Sequence, residues 1–377
     1  MTSTTPSTLQ SAGPLLLVAG VSPGGGAVLF AADVTRARVL AFEVRSEDTA
    51  EAGAPGAAGT TEVRVDHLDA KLASLLGVEQ TDVLVKGLAV HPVSHETYLS
   101  VARGSGAEGR VAIVRADAAG QLSVVELDEL PFTAVDLDDA PDADDERQDV
   151  WLDGMEASSK PREIHGVTLN IAQVPLYRST ITDLAWVDGA LFVAGLSNEE
   201  FTSRLRRIPF PFDGSTVATS VEIFHVDHGK YETQSPIRAL TSFDGGASIL
   251  ATYTCTPVAV FSVADLRGEG LVRGRTVAEL GPMNQPFSLV SYERDGEEFL
   301  LVSNTRHPLL KIPAASIGGQ SGLTLGLSAE GASMGVPRES LDHPGVTWMA
   351  NLDRRSIVVV QEEGGELHLR TLTAEVL

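Results

Sequence analysis

Residues 181–208, ITDLAWVDGALFVAGLSNEEFTSRLRRI, read as three consecutive strands. Ile181 to Val187 is apolar and ends at the turn pair Asp188-Gly189, Ala190 to Leu196 follows at once, and the polar turn Ser197 to Glu200 leads into a third strand near Ser203 to Ile208. A three-stranded meander leaves one or both faces uncovered. Copies of the same unit packed on either side would cover them.

Five further copies are legible. Blade one runs from Pro14 to Ala19, Ala27 to Asp33 and Arg38 to Val44, with Thr61 to Asp66 as its expected outer strand after the Gly/Ala segment 46–60. Asp69 to Gly77 has helical spacing, with Leu72, Leu75 and Leu76 on one face and Gly77 as a stop. Blade two is Val85 to His91, Thr97 to Ala102, Arg110 to Arg115 and Leu122 to Leu127. Blade three is the opening stretch with Thr219 to Phe224 added. Blade four is Ile237 to Phe243, Ala247 to Tyr253, Val258 to Val263 and Arg275 to Leu280. Blade five is Phe287 to Tyr292, Phe299 to Ser303, Leu309 to Pro313 and Leu323 to Leu327. Blade six, Val346 to Ala350, Ser356 to Gln361 and Glu366 to Leu372, has no outer strand of its own, so the N-terminal tail supplies one or the blade stays three-stranded.

The pattern predicts an all-β, six-bladed β-propeller of four-stranded antiparallel blades, with a disordered tail at 1–12 and one domain over 13–377. Blades of about sixty residues exceed the WD40 period of roughly 40–45 and disfavour that class. Seven blades is the alternative, the extra one lying within Trp151 to Val174. A segment of about 128–179 is an insertion, acidic over Asp136 to Asp149.

The net charge of −23 argues against nucleic acid and anionic membranes as partners. A single cysteine, Cys255, permits no internal disulfide. The N-terminal apolar run Leu15 to Val21 lacks a basic flank and is too short for a signal peptide or a span, so a cytoplasmic location is expected.

The strand pattern resembles NHL, gluconolactonase-like and YVTN-type propellers across nearly the whole chain. The strings AGLSNEEF (194–201), TYTCTPV (252–258) and AELG (278–281) with NQP (284–286) are similar to those of uncharacterised bacterial propeller proteins. The gluconolactonase resemblance implies a calcium- or zinc-dependent site with Glu, Asn and Asp ligands at the channel mouth, a pattern that does not align here. Propeller-shaped quinoprotein dehydrogenases are a further implied relation, without their cofactor signature.

Blade topology sends the turns between second and third strands, and the connections from each fourth strand to the next first, to one face. That face receives Asn198, Glu199 and Glu200, Cys255, Asn284 and Gln285, Asn304 and His307, and the histidines His225 and His228. The expected site is a polar funnel, with Asn198, Glu199, Asn284, Gln285, Asn304 and His307 binding a small polar ligand or a protein partner. The rival expectation is an enzyme at the same mouth, a metal-assisted hydrolase or lyase or an oxidoreductase, with Glu199 as base or metal ligand and His307 as its partner. For a divalent metal, calcium or zinc, His225 and His228 with Glu232 are the candidates. His91 with His95, the aspartates 136–145 and a Cys255 nucleophile are weaker ones. Arg204, Arg206 and Arg207 read as an outer surface or as a docking patch for acidic groups, those of this chain's own insertion in a second copy included.

Overall fold

Asp188 and Gly189 both take positive φ, 50° and 71°, and the two-residue turn they make folds strand Asp183–Val187 back onto Ala190–Leu196 with Val187 opposite Ala190. Such a turn matches the right-handed twist of the strands it joins, which is why Asp-Gly recurs in hairpins. The third strand, Ser203–Pro209, and the fourth, Val217–His225, complete blade three. The computed structural model describes residues 9–22, 24–44, 62–104, 110–151, 160–164, 167–254, 257–281, 284–326 and 334–377.

Six sheets built this way make the chain an all-β, six-bladed β-propeller. Three of the inner strands carry a β-bulge near their start, between Val85 and Gly87, Ile237 and Ala239, and Pro286 and Ser288. The recurrence marks blades two, four and five as copies of one unit. Residues 148–175 do not add a seventh blade. Gln148–Trp151, Lys160–Ile164 and Val167–Pro175 form a separate three-stranded sheet within the insertion.

The blades divide into two compact units, residues 1–136 with 348–377 and residues 137–347. In the first unit blade two lies between blades six and one. Val85, Val101 and Val114 of blade two pack with Val358, Val360 and Leu369 of blade six, while Ala89, Tyr98 and Ile113 join Leu29, Leu40 and Phe42 of blade one. In the second unit blade four is central, sharing one apolar layer with blade three and another with blade five. Each fully buried Leu, Val or Ile in these layers contributes about 1.5–3 kcal/mol, so the blade interfaces hold the units together.

Outer strands depart from the sequence expectation in three blades. Arg64–Val65, expected in blade one, pairs with Leu369–Arg370 and completes blade six. Blade one takes Phe132–Asp136 instead, which therefore belongs to a blade and not to the insertion. Blade five is closed by Glu339–Ser340, not by the stretch from Leu323. Outer strands here are short, and a two-residue strand carries no periodicity that would reveal its partner.

Of the expected tail, Gln10 and Ser11 are held by Asp33, which accepts the Gln10 backbone N–H at 2.9 Å and the Ser11 hydroxyl at 2.8 Å. Residues 1–8 lie outside the described ones. The helix runs over Leu68–Leu76 and ends at Gly77 in the left-handed conformation, as its sequence predicts. Leu68 and Leu72 enter the layer between blades two and six, whereas Leu75 is exposed. Among the described residues no helix is long and apolar enough to cross a membrane.

Candidate functional site

Two groups of the expected site residues form, in different blades of the second unit. The first lies on blade five. Asn304 ends strand Glu297–Asn304, and its Oδ1 accepts the backbone N–H of Arg306 at 3.2 Å and of His307 at 2.8 Å. Asn284 accepts from the Thr305 hydroxyl at 3.1 Å and the Arg306 N–H at 3.2 Å, and the Thr305 N–H donates to the Gln285 carbonyl at 3.0 Å. Asn284, Gln285 and Asn304 are buried, so turn and inter-blade connection are laced into one rigid corner. The asparagine side chains shape the backbone first. What remains is the Asn284 amide nitrogen, buried and without a hydrogen-bond partner.

His307 stands over this corner, its Nε2 3.9 Å from where a side chain on Gly281 would begin. Burial, then the guanidinium groups of Arg306 and Arg338, hold its pKa below the usual histidine value. Burial likewise lowers the pKa of Arg338, with Glu279 opposing. The corner therefore presents a neutral imidazole beside two cations.

The second group is Asn198 and Glu199, on the exposed turn between the second and third strands of blade three. The Asn198 N–H donates to the Asp139 carbonyl at 2.8 Å, and Arg147 donates to the backbone oxygens of Asn198 at 3.3 Å and Glu199 at 3.1 Å. The Glu199 carboxylate lies 3.6 Å from Arg204. This turn anchors the insertion. No contact among the described residues joins Glu199 to His307, so the expected acid–base pair falls into separate clusters.

The candidate metal ligands come together. Strand Val217–His225 turns through Val226 to Gly229 and returns along Lys230–Glu232, pairing Ile223 with Glu232 and His225 with Lys230. Gly229, at φ 64°, permits that tight reversal. It brings His225 Nδ1 to 2.7 Å from one Glu232 oxygen and His228 Nδ1 to 2.6 Å from the other, with ring centroids 4.0 Å apart. Burial works to raise the Glu232 pKa, but the two imidazole hydrogen bonds outweigh it and hold the carboxyl at about 2. Sequence reasoning missed Glu279, the last residue of blade four's strand Arg275–Glu279. It is fully buried, and its Oε2 lies 3.8 Å from His225 Nε2. The one available signal was a carboxylate inside the apolar run Val277-Ala278-Glu279-Leu280.

The weaker candidates resolve into structure. His91 Nδ1 accepts the N–H groups of Val93 and Ser94 and caps its own turn. Among the acidic residues, Asp136 pairs with Arg38, Asp139 with Arg206 and Asp145 with Arg147. Cys255 lies outside the described residues. Within the arginine cluster Arg206 is an internal tether, fully buried against Asp139, and Arg204 lies 3.6 Å from the same carboxylate. In the first unit, Leu9, Gln10, Thr35, Arg103 and Arg110 help to line an open cleft of about 630 Å³, which no expected site residue borders.

No protein-family model matches the chain, and no curated protein matches it. Among solved structures it is similar to the PQQ-bound form of an aldose sugar dehydrogenase from Streptomyces coelicolor, at 12% identity over 97% of this chain and 94% of that one, with a TM-score of 0.35. It is also similar to a candidate 6-phosphogluconolactonase from Bacteroides uniformis, at 9% identity over 95% of this chain and 77% of that one, TM-score 0.33. A chain of a mitotic checkpoint complex matches at 10% identity over 88% of this chain and 99% of its own, TM-score 0.36.

Proposed function

We propose that the protein is a binding module whose site is the blade-five corner, taking a small polar ligand that carries a carboxylate or phosphate group. The observation that carries this reading is local charge. In a chain of net −23, His307 feels the guanidinium charges of both Arg306 and Arg338 beside a corner whose buried Asn284 amide donor is unmet. Guanidinium groups match planar or tetrahedral oxyanions, and an amide N–H adds a directed donor. Asn284, Gln285 and Asn304 then serve as the rigid frame and His307 and Arg338 as the contacts. Frames of this kind hold ligands better than loop tips do.

Calorimetric titration of the full chain with citrate and with inorganic phosphate tests the reading. Saturable binding of either, weakened about tenfold or more by Arg338→Gln with thermal unfolding unchanged, is the expected result. That factor corresponds to about 1.4 kcal/mol, the scale of one charge-assisted hydrogen bond. Absence of saturable binding for both anions, or equal affinity in the variant, would overturn it.

A further inference from the structure

We infer that His225, His228 and Glu232 form a divalent metal site of the zinc type, with Glu279 as the carboxylate that orients His225. The three ligand atoms lie within 4.8 Å of one another, the one such group of three among the described residues. Two imidazoles turning their Nδ1 atoms onto the two oxygens of a single carboxylate is a convergence that hydrogen bonding alone does not require. Replacing the two shared protons by one cation lets the same three atoms move outward by a few tenths of an ångström into a coordination sphere with bonds of about 2.0–2.2 Å.

The independent observation is His225 Nε2. The residue is 1% exposed, and this nitrogen has no hydrogen-bond partner although it lies 3.8 Å from the Glu279 carboxylate. An imidazole whose one proton sits on Nδ1 and is donated to Glu232 turns a bare Nε2 lone pair toward a buried carboxylate oxygen, which leaves that nitrogen unmet. With a metal on Nδ1 the ring carries its proton on Nε2 and donates it to Glu279. That carboxylate–histidine–metal arrangement is how protein sites fix a ligand's tautomer and ring plane.

Charge points the same way. Glu232 and Glu279 set two carboxylates against the two imidazoles, with Lys230 at 3.6 Å from Glu232 and Arg338 acting on Glu279, and a divalent cation suits a donor set of that charge. Nitrogen ligands with one carboxylate suit zinc and its neighbours, whereas calcium and magnesium prefer oxygen alone. His228 is 45% exposed at its side chain, so the coordination sphere opens toward solvent on that side. The strand end holding His225 and the hairpin return holding Glu232 are paired in the sheet, and only His228 rides on the turn. This site does not depend on the anion-binding reading of the blade-five corner.

The test uses the full chain, stripped with a chelator and reloaded. Titration with Zn(II) should give one tightly bound ion, and Co(II) should give the intense visible bands of a low-symmetry nitrogen and oxygen site. His228→Ala, at an exposed turn position, should remove the tight site while leaving strand circular dichroism intact. Glu279→Gln should keep the one-to-one stoichiometry and weaken affinity about 10–100-fold, the usual effect of losing an orienting carboxylate. Failure of the wild-type chain to bind Zn(II), Co(II) or Ni(II) tightly would overturn the assignment, as would wild-type affinity in His228→Ala. Should His228→Ala not fold, His228→Asn takes its place, with the same two outcomes. Anion binding at blade five is read separately, with citrate or phosphate, so either proposal can fail alone.

Discussion

Arg206 donates from Nε to an Asp139 oxygen at 2.7 Å, joining the third strand of blade three to an acidic segment 67 residues earlier. The guanidinium also donates to the carbonyls of Thr180 at 3.1 Å and Leu196 at 2.9 Å. Burial pushes its pKa down and Asp139 opposes the shift. One planar group thus satisfies a carboxylate and two backbone acceptors in a dry place, a task an ammonium cannot match.

Arg206→Met is therefore expected to cost about 2–4 kcal/mol, because it takes the closest partner from a half-buried carboxylate, leaving it only Arg204 at 3.6 Å, and strips the donor from two buried carbonyls. Urea unfolding followed by tryptophan fluorescence measures it. The double variant Arg206→Met with Asp139→Leu should recover part of the loss, since no carboxylate is then left facing the apolar Met side chain. A cost below about 1 kcal/mol for the single variant would place Arg206 among ordinary surface charges.

How much of this was legible follows from the range of each interaction. Inner and middle strands announce themselves through local alternation and Gly or Asp turns, as at Asp188-Gly189, and their assignments survive. Arg64–Val65 could not be assigned, because its partner Leu369–Arg370 is some 300 residues away and two residues show no pattern. The His225, His228 and Glu232 spacing was readable along one hairpin. Glu279 was not, since it arrives from the next blade. Arg206 was misread because a charged residue in an alternating strand looks solvent-facing until its partner is known.

Gly195 lies next to this tether, and a Cβ there would stand 1.9 Å from the Thr180 carbonyl oxygen, the same oxygen that Arg206 caps. Only glycine lets the two backbones approach so closely. Gly195→Ala should destabilise by about 3 kcal/mol or more, at the upper end of overpacking costs. Gly189→Ala, with open space around the new methyl, tests the opposite case of a turn conformation alone and should cost less.

Asp183 accepts the N–H of Leu184 at 2.9 Å and that of Leu240, on blade four's inner strand, at 2.8 Å. Burial nevertheless raises its pKa from 3.8 to about 7, because the two hydrogen bonds and the charge of Arg238 offset only part of the desolvation. A carboxyl that is more basic folded than unfolded holds its proton more tightly in the native state. Its contribution to stability is fullest below about pH 4 and is lost as pH rises to 7. Asp183→Asn cannot titrate, so its stability deficit relative to wild type should shrink across that window. Parallel denaturant curves at pH 4.5 and 7.5 check this. A deficit that is constant, or that grows with pH, would contradict the assignment.

Val65 is 1% exposed and sits in the layer between blades two and six, opposite Leu369. Beside it, the Thr371 hydroxyl accepts the Val63 N–H at 3.0 Å, and the Thr371 N–H donates to the Val63 carbonyl at 3.1 Å. This short strand is what completes the last blade, so stability at the C-terminus depends on residues from the first fifth of the chain. Thr371→Val removes both hydroxyl bonds to Val63, the accepted N–H and the 3.3 Å donation to the carbonyl, and leaves that N–H unmet, for about 1–3 kcal/mol. Val65→Asp adds a buried unpaired charge and should cost more, with the amides of Leu369 and Arg370 losing hydrogen-exchange protection ahead of those in blade four. If instead those amides stay as protected as Leu250 and Ala251 in the Val65→Asp protein, strand Glu366–Thr373 is held by its pairing with Ser356–Glu363 alone and the closing role of Arg64–Val65 falls.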